Sequence, residues 1–162
     1  MKTKTLTLAI GLLASLSVFA GDPPMEKKLA LQKPFTSLEV NGNLQVFLRE
    51  STDDTVVITG SADDIARIAV EEKSGTFTVR TTGHIRKGAV QVYIPVSRLA
   101  SITARGNSKI TSLNELVTPR LVLNPAGSGS RIAVKYYGQS TIVGEEGIDY
   151  DISRQREYYV KN

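Results

Sequence analysis

The sequence predicts an all-β domain behind a secretory leader, and three observations predict it. Apolar and polar residues alternate with a period of two over several short segments. Gly, Ser, Asp and Lys punctuate those segments. A pattern of small polar residue, Ser, variable residue and Ile then recurs in the second half of the chain.

The leader is read first. Lys2 and Lys4 precede an apolar run from Leu6 to Phe19, with Val18 and Ala20 at the −3 and −1 positions of a cut after Ala20. The run is shorter than the roughly 20 residues that cross a hydrocarbon core, so it is expected to be removed, not to anchor the chain. The expected organisation is a signal peptide over 1–20, a leader or flexible arm over 21–33, and a single domain over 34–162. The arm opens with Gly21-Asp22-Pro23-Pro24 and carries Lys27, Lys28 and Lys33 without periodicity. Removal of the 20-residue leader with its two lysines leaves 142 of the 162 residues and lowers the charge from +4 to +2. That charge gives little reason to expect a nucleic acid or other polyanion as partner. The chain has no cysteine, which excludes disulfides, thiolate metal sites, a Cys nucleophile and lipid attachment at a Cys after the cut.

The domain is expected to begin near Pro34-Phe35. Leu44, Val46 and Leu48 lie on one side of a strand, with Gln45, Phe47 and Arg49 on the other. Further strands are read at Val56–Thr59, at Thr76–Thr81 with Phe77 and Val79 inward, and at Ala89–Pro95 with Val90, Val92 and Ile94 inward against Gln91 and Tyr93. Between them, Ser61-Ala62-Asp63-Asp64 has the form of an N-cap with an acidic residue at the third helical position, and Ile65, Ile68 and Ala69 follow at helical spacing. One short helix near residues 62–69 is therefore predicted. A strand from Ile68 through Glu72 competes for part of that range, and a helix followed directly by the strand satisfies both patterns.

The recurring pattern falls at Gly106–Ile110, Gly129–Ile132 and Gly138–Ile142. Ser108 and Ser130 are 22 positions apart, about one turn of a parallel solenoid, whereas Ser130 and Ser140 are only 10 apart. In a solenoid each coil stacks on the preceding one, corners take small or positive-φ residues, and the following inward aliphatic stacks in a ladder, here Ile110 on Ile132. Tight Gly-Ser turns of an antiparallel sandwich read the same way, so periodicity alone leaves both architectures open.

The order of these segments resembles the family of putative auto-transporter adhesin head, or GIN, domains. The resemblance rests on Pro34–Gly42 followed by the Leu44–Leu48 strand, on Val56-Val57-Ile58 with Asp63-Asp64, and on Ser74–Val79. It continues through Val90–Pro95, Leu99–Ile102 and Gly106–Ile110. It implies a right-handed single-stranded parallel β-helix for the 34–162 domain. The chain departs from the family pattern after Gly138, where Gly144-Glu145-Glu146-Gly147 and a charged finish replace further Ser-Gly coils. With 142 residues used by the head-like domain, no translocating barrel is expected. The resemblance transfers no catalytic residues.

Candidate chemistry is sparse. His84 is the only histidine and sits in an apparent Gly-bounded hairpin loop, Gly83 to Gly88, beside Arg86 and Lys87. No triad order and no zinc-ligand spacing accompanies it. The doublets Asp53-Asp54, Asp63-Asp64 and Glu145-Glu146, with Asp149 and Asp151, match neither calcium-loop pattern and read as turn and helix-start residues. Gly127-Ser128-Gly129-Ser130 lacks the Gly-Lys-Ser/Thr ending of a phosphate loop, and no serine stands in a nucleophile elbow. Ser108, Ser130 and Ser140 are read as corner residues. If the coils stack, Arg105 or Lys109 and Arg131 form one outward stripe facing an anionic glycan or headgroup. Tyr137, one of the Tyr136-Tyr137 pair, is expected outward and available for contact, as is one residue of Tyr158-Tyr159.

The expected function is an exported, non-enzymatic cell-envelope binding or adhesin-like module, without cofactor or metal. Its contact residues are expected to be Arg105, Lys109, Arg131 and Tyr137, its partner a glycan or envelope protein, and its location the periplasm or the cell exterior. A polysaccharide-active enzyme on a β-helix and a self-associating structural envelope protein are the alternatives.

Overall fold

The computed structural model describes residues 24–127, 129–142 and 157–161. The signal peptide expected over 1–20, and Glu145, Glu146, Asp149 and Asp151, lie outside them. In chain order the elements are β1 (Met25–Ala30), β2 (Ser37–Asn41), β3 (Gln45–Glu50), β4 (Thr55–Gly60), α1 (Ala62–Ala66), β5 (Ile68–Lys73), β6 (Thr76–Thr81) and β7 (Gln91–Val96). They continue with β8 (Ser101–Arg105), β9 (Lys109–Ser112), β10 (Leu116–Ala126), β11 (Arg131–Ile142) and β12 (Glu157–Lys161). All twelve strands belong to one mixed sheet in the order β1-β4-β7-β3-β9-β11-β10-β8-β2-β6-β5, with β12 also paired to β11.

The sheet curls at its long strands β10 and β11, so its two halves enclose one core. The front half holds β1, β4, β7, β3, β9 and the start of β11; the back half holds the rest of β11 with β10, β8, β2, β6 and β5. Four times the chain runs along a back strand, turns a corner and returns along a front strand: β2 to β3, β6 to β7, β8 to β9 and β10 to β11. These four rungs pair in parallel with neighbours on both halves.

Alternation sets which residues fill the core. On the front half Val92, Val46, Ile110 and Ile132 are register partners in series and all are fully buried. On the back half Phe77, Leu38, Ile102 and Leu123 form the matching ladder. Each such side chain contributes about 1.5–3 kcal/mol by leaving water. Phe35 caps the Phe77 end of the back ladder, its ring stacked at 5.1 Å. The expected Ile110–Ile132 stack is present.

The corners show why glycine recurs. Gly42, Gly106 and Gly127 follow the register partners Asn41, Arg105 and Ala126, and have φ of +121°, +69° and +144°. A Cβ on Gly106 would sit 3.2 Å from the backbone nitrogen of Gly42, and one on Gly127 would sit 3.0 Å from that of Gly106. Consecutive rungs thus touch backbone to backbone at this corner, in a conformation that L side chains resist.

Several expectations need correction. The rungs do not stack in chain order: β3 lies between β7 and β9, and β2 between β6 and β8. The 76–96 rung packs on the far side of the 37–50 rung because β4, α1 and β5 intervene and return the chain by the antiparallel β5–β6 pair through Ser74-Gly75. The sheet is mixed, with antiparallel pairs at its flanks, β1–β4, β4–β7 and β5–β6, and β12 antiparallel on β11. The segment read as an arm over 21–33 contains β1, whose six residues pair with β4 through the backbone while only Leu29 packs against the core.

The loop around His84 is no hairpin, since β6 and β7 belong to opposite halves; it is a corner, plugged by the buried Ile85. The helix and the competing strand both form, one after the other. Ser61 caps α1 by accepting from the Asp64 amide at 3.2 Å, the helix ends at Ala66, and Ile68 opens β5. Ser140 lies within β11 opposite Leu121, not at a corner, whereas Ser108 and Ser130 precede β9 and β11 as expected.

Candidate functional site

In-register strands turn their outward residues into rows that cross the sheet. One row on the front half runs Arg131, Lys109, Gln45, Gln91, Thr59 and Glu26, from cations through amides to a carboxylate. The next runs Ala133, Thr111, Phe47, Tyr93, Val57 and Lys28. Alternation forces Phe47 and Tyr93 outward, because Val46, Leu48, Val92 and Ile94 take the inward positions. Their rings stack with centroids 5.0 Å apart and planes inclined by 20°. That spacing matches the ~4.8 Å between neighbouring strands. The Tyr93 hydroxyl donates to Gln91 Oε1 at 2.9 Å, so the ring is held by a neighbour and a hydrogen bond.

Beside Tyr93 the outer surface sinks into a groove of about 410 Å³, within the ~300–1,000 Å³ of small-molecule sites. Its floor is made of short side chains, Thr55, Val57 and Thr59 of β4 and Pro95 of β7. Taller ones stand around it: Tyr93, Arg49, Leu113 and Glu26. Leu113 is held there by its amide, which donates to the Leu48 carbonyl at 2.7 Å, and its side chain is 53 % exposed. Both charged walls have partners within the protein. Arg49 pairs with Asp53, and Glu26 with Lys28 at 3.1 Å.

The structure brings together only part of the stripe expected from the sequence. Lys109 and Arg131 are register partners and both are exposed on the front half. Arg105 ends β8 on the back half, beyond the Gly106 corner, with Asn41 and Ala126 as partners. Tyr137 is 66 % exposed, but it lies six residues along β11 from Arg131, about 20 Å away, next to Val117. Its neighbour Tyr136 points inward and is buried. Phe47 and Tyr93 are not among the contact residues expected from the sequence, although bulky aromatics at outward positions of two strands are a signal for them.

His84 is exposed in the 82–90 corner, where its carbonyl accepts from Arg67 Nη1 at 2.8 Å. Asp53 and Asp54 follow β3, whereas Asp63 and Asp64 belong to α1. Asp64 accepts from its own N-cap, Ser61 Oγ, at 2.8 Å. Among the described residues no three His, Asp or Glu side chains converge as a metal site would need, and no helix is long and apolar enough to cross a membrane.

Comparison with known proteins gives a family and a fold. The model of the family described as putative auto-transporter adhesin, head GIN domain, matches residues 34–147. Among solved structures, a putative adhesin from Bacteroides fragilis superposes with a TM-score of 0.63 at 20 % identity, covering 76 % of this chain and 61 % of that one. A putative adhesin from Parabacteroides distasonis gives 0.55 at 19 %, covering 75 % and 56 %. A protein called a putative lipid binding protein, from the same species, gives 0.52 at 13 %, covering 76 % and 67 %. The chain thus spans about three fifths of the length of the two adhesins. No curated protein sequence matches it.

Proposed function

Because the chain belongs to the family of putative auto-transporter adhesin head GIN domains, we propose that it is an exported, non-enzymatic module that acts by surface contact at the cell envelope. The observation that carries this reading is the outward Phe47–Tyr93 stack beside the groove, on a face where folding asks for no aromatic. Aromatic anchors held in place before binding lose little entropy on contact. The names of two structural neighbours as adhesins support the same class of activity. Among the described residues no three His, Asp or Glu side chains converge, which agrees with a role in contact. The lysine-led leader supports export. We also read the four parallel rungs as a short right-handed single-stranded β-helix with antiparallel flanks. The strong right-handed preference of parallel crossovers favours that hand.

The test is retention of the mature protein on isolated envelope fractions, polysaccharide and protein separately, for wild type and for Phe47→Ser with Tyr93→Ser. Retention lost in the double variant supports the reading. Equal retention, or release of new reducing ends from the polysaccharide fraction, overturns it in favour of another face or of an enzyme.

A further inference from the structure

We infer that the groove beside Tyr93 binds an uncharged oligosaccharide, one sugar ring lying against Tyr93 with Leu113 at its flank, while hydroxyls along the chain meet Thr55 and Thr59 at either end. The inference rests on the surface-contact reading above and names the ligand class for that face.

Charge supplies the first argument. The two formal charges at the groove are of opposite sign, and each is compensated by a neighbour, Arg49 by Asp53 and Glu26 by Lys28. A ligand that brought net charge would meet no uncompensated counter-charge there. Arg49, Asp53, Glu26 and Lys28 sum to no net formal charge, and their pairs are exposed and weak, so the groove offers a charged ligand no excess of opposite charge. The groove is therefore matched to a ligand that is polar yet neutral.

The distribution of atoms narrows the class. Apolar surface from Tyr93, Val57 and Leu113, above a buried Pro95, is flanked by the hydroxyls of Thr55 and Thr59, which lie four residues, about 13 Å, apart along β4. A lipid chain would leave those hydroxyls without partners, and an extended peptide would bring amide groups that need a free strand edge. Here β4 and β7, which floor the groove, are already paired to each other and to β1 and β3, and the free edge is the far side of β1. A pyranose ring carries C–H groups on one face and hydroxyls at its rim, which is the pattern the groove presents in complement. Arg49 and Glu26 can share their remaining donor and acceptor positions with those hydroxyls. Tyr93 is the pre-positioned part, with Phe47 against its ring and Gln91 on its hydroxyl.

The test titrates the mature protein with cellohexaose, maltohexaose and mannohexaose, and with a hexamer of galacturonate as the charged counterpart, followed by calorimetry and by shifts of the Tyr93 ring resonances. At least one neutral hexamer is expected to bind and to shift those resonances. Leu113→Ser and Val57→Lys, both at exposed or half-exposed positions, are expected to weaken it at least about tenfold with unchanged circular dichroism. Arg80→Gln on the back half should bind as wild type does. If the galacturonate hexamer binds more tightly than every neutral one, or if no neutral hexamer binds at up to about 10 mM, the inference is overturned. In that event the broader reading still stands if envelope retention depends on Phe47 and Tyr93, and falls with it if retention does not.

Discussion

Replacing Gly106 with alanine tests whether the rungs are held backbone to backbone at their corner. Gly106 has φ of +69°, and its new Cβ would meet the nitrogen, Cα and oxygen of Gly42 at 3.2–3.3 Å. None of these atoms can swing aside without moving a rung. The left-handed conformation costs an alanine about 1–2 kcal/mol, and the crowding adds about 1–2 kcal/mol as in other over-packed sites. Loss of freedom in the unfolded chain offsets about 0.5 kcal/mol, for a net destabilisation of about 2–3 kcal/mol. Gly88 is the control, because its φ of +76° is similar while nothing lies within 4 Å of its Cβ position. Gly88→Ala should therefore cost only about 1 kcal/mol. In urea titrations followed by far-ultraviolet circular dichroism, both midpoints should fall with unchanged slope, that of Gly106→Ala two to three times further. Thermal midpoints should drop by about 10 °C and about 4 °C respectively. Equal effects for the two variants would refute the stacked-corner argument and leave only the cost of positive φ.

Three serines make further predictions. The Ser108 hydroxyl is buried without a hydrogen-bond partner, so Ser108→Ala should leave the urea midpoint unchanged or raise it by up to about 1 kcal/mol equivalent; a clear fall would reveal a partner. Ser112 Oγ accepts from the Lys135 amide at 2.7 Å, and Ser112→Ala should cost about 1–3 kcal/mol in the same titration, whereas a neutral result would mean that water replaces the bond. Ser61→Ala removes the α1 cap and should cost about 1 kcal/mol, which Ser61→Thr, whose hydroxyl can again accept from the Asp64 amide and donate to its carboxylate, should largely restore if the cap is the cause.

The inward half of this fold is legible in the sequence and the neighbour relations are not. Period-two alternation places Leu44, Val46 and Leu48, and again Val90, Val92 and Ile94, in the core, where all are buried. It cannot say that Val46 stacks between Val92 and Ile110, because aliphatic side chains of similar size accept one another in any order. β1 escapes the reading for another reason. An edge strand whose side chains are nearly all exposed is held by backbone bonds and shows no hydrophobic period. The same limit governs the site. Alternation sends Phe47 and Tyr93 outward, but only the rung order brings these sequence-distant rings to 5.0 Å. Conversely Arg105 and Lys109, close in sequence, are parted by the corner at Gly106.

The departure from chain-order stacking is also what makes the candidate site. Had the 76–96 rung followed its predecessor as another regular coil, a further parallel strand could flank β7. Instead the chain leaves the 37–50 rung through β4, α1 and β5 before forming β6 and β7, and β4 then lies antiparallel beside β7. The outward residues that β4 contributes, Thr55, Val57 and Thr59, are short, and they form a floor next to the tall rings of the neighbouring rungs. Inward positions on these strands fix the register and carry the apolar burial, so outward positions can change at little cost to the fold. An aromatic pair there contributes about 0.5–1.5 kcal/mol beyond its burial, small beside the ladders beneath it. Folding thus tolerates Phe47 and Tyr93, half-buried on the outer face beside the groove, without requiring them, so the pair can be replaced to test contact while the ladders beneath keep the fold.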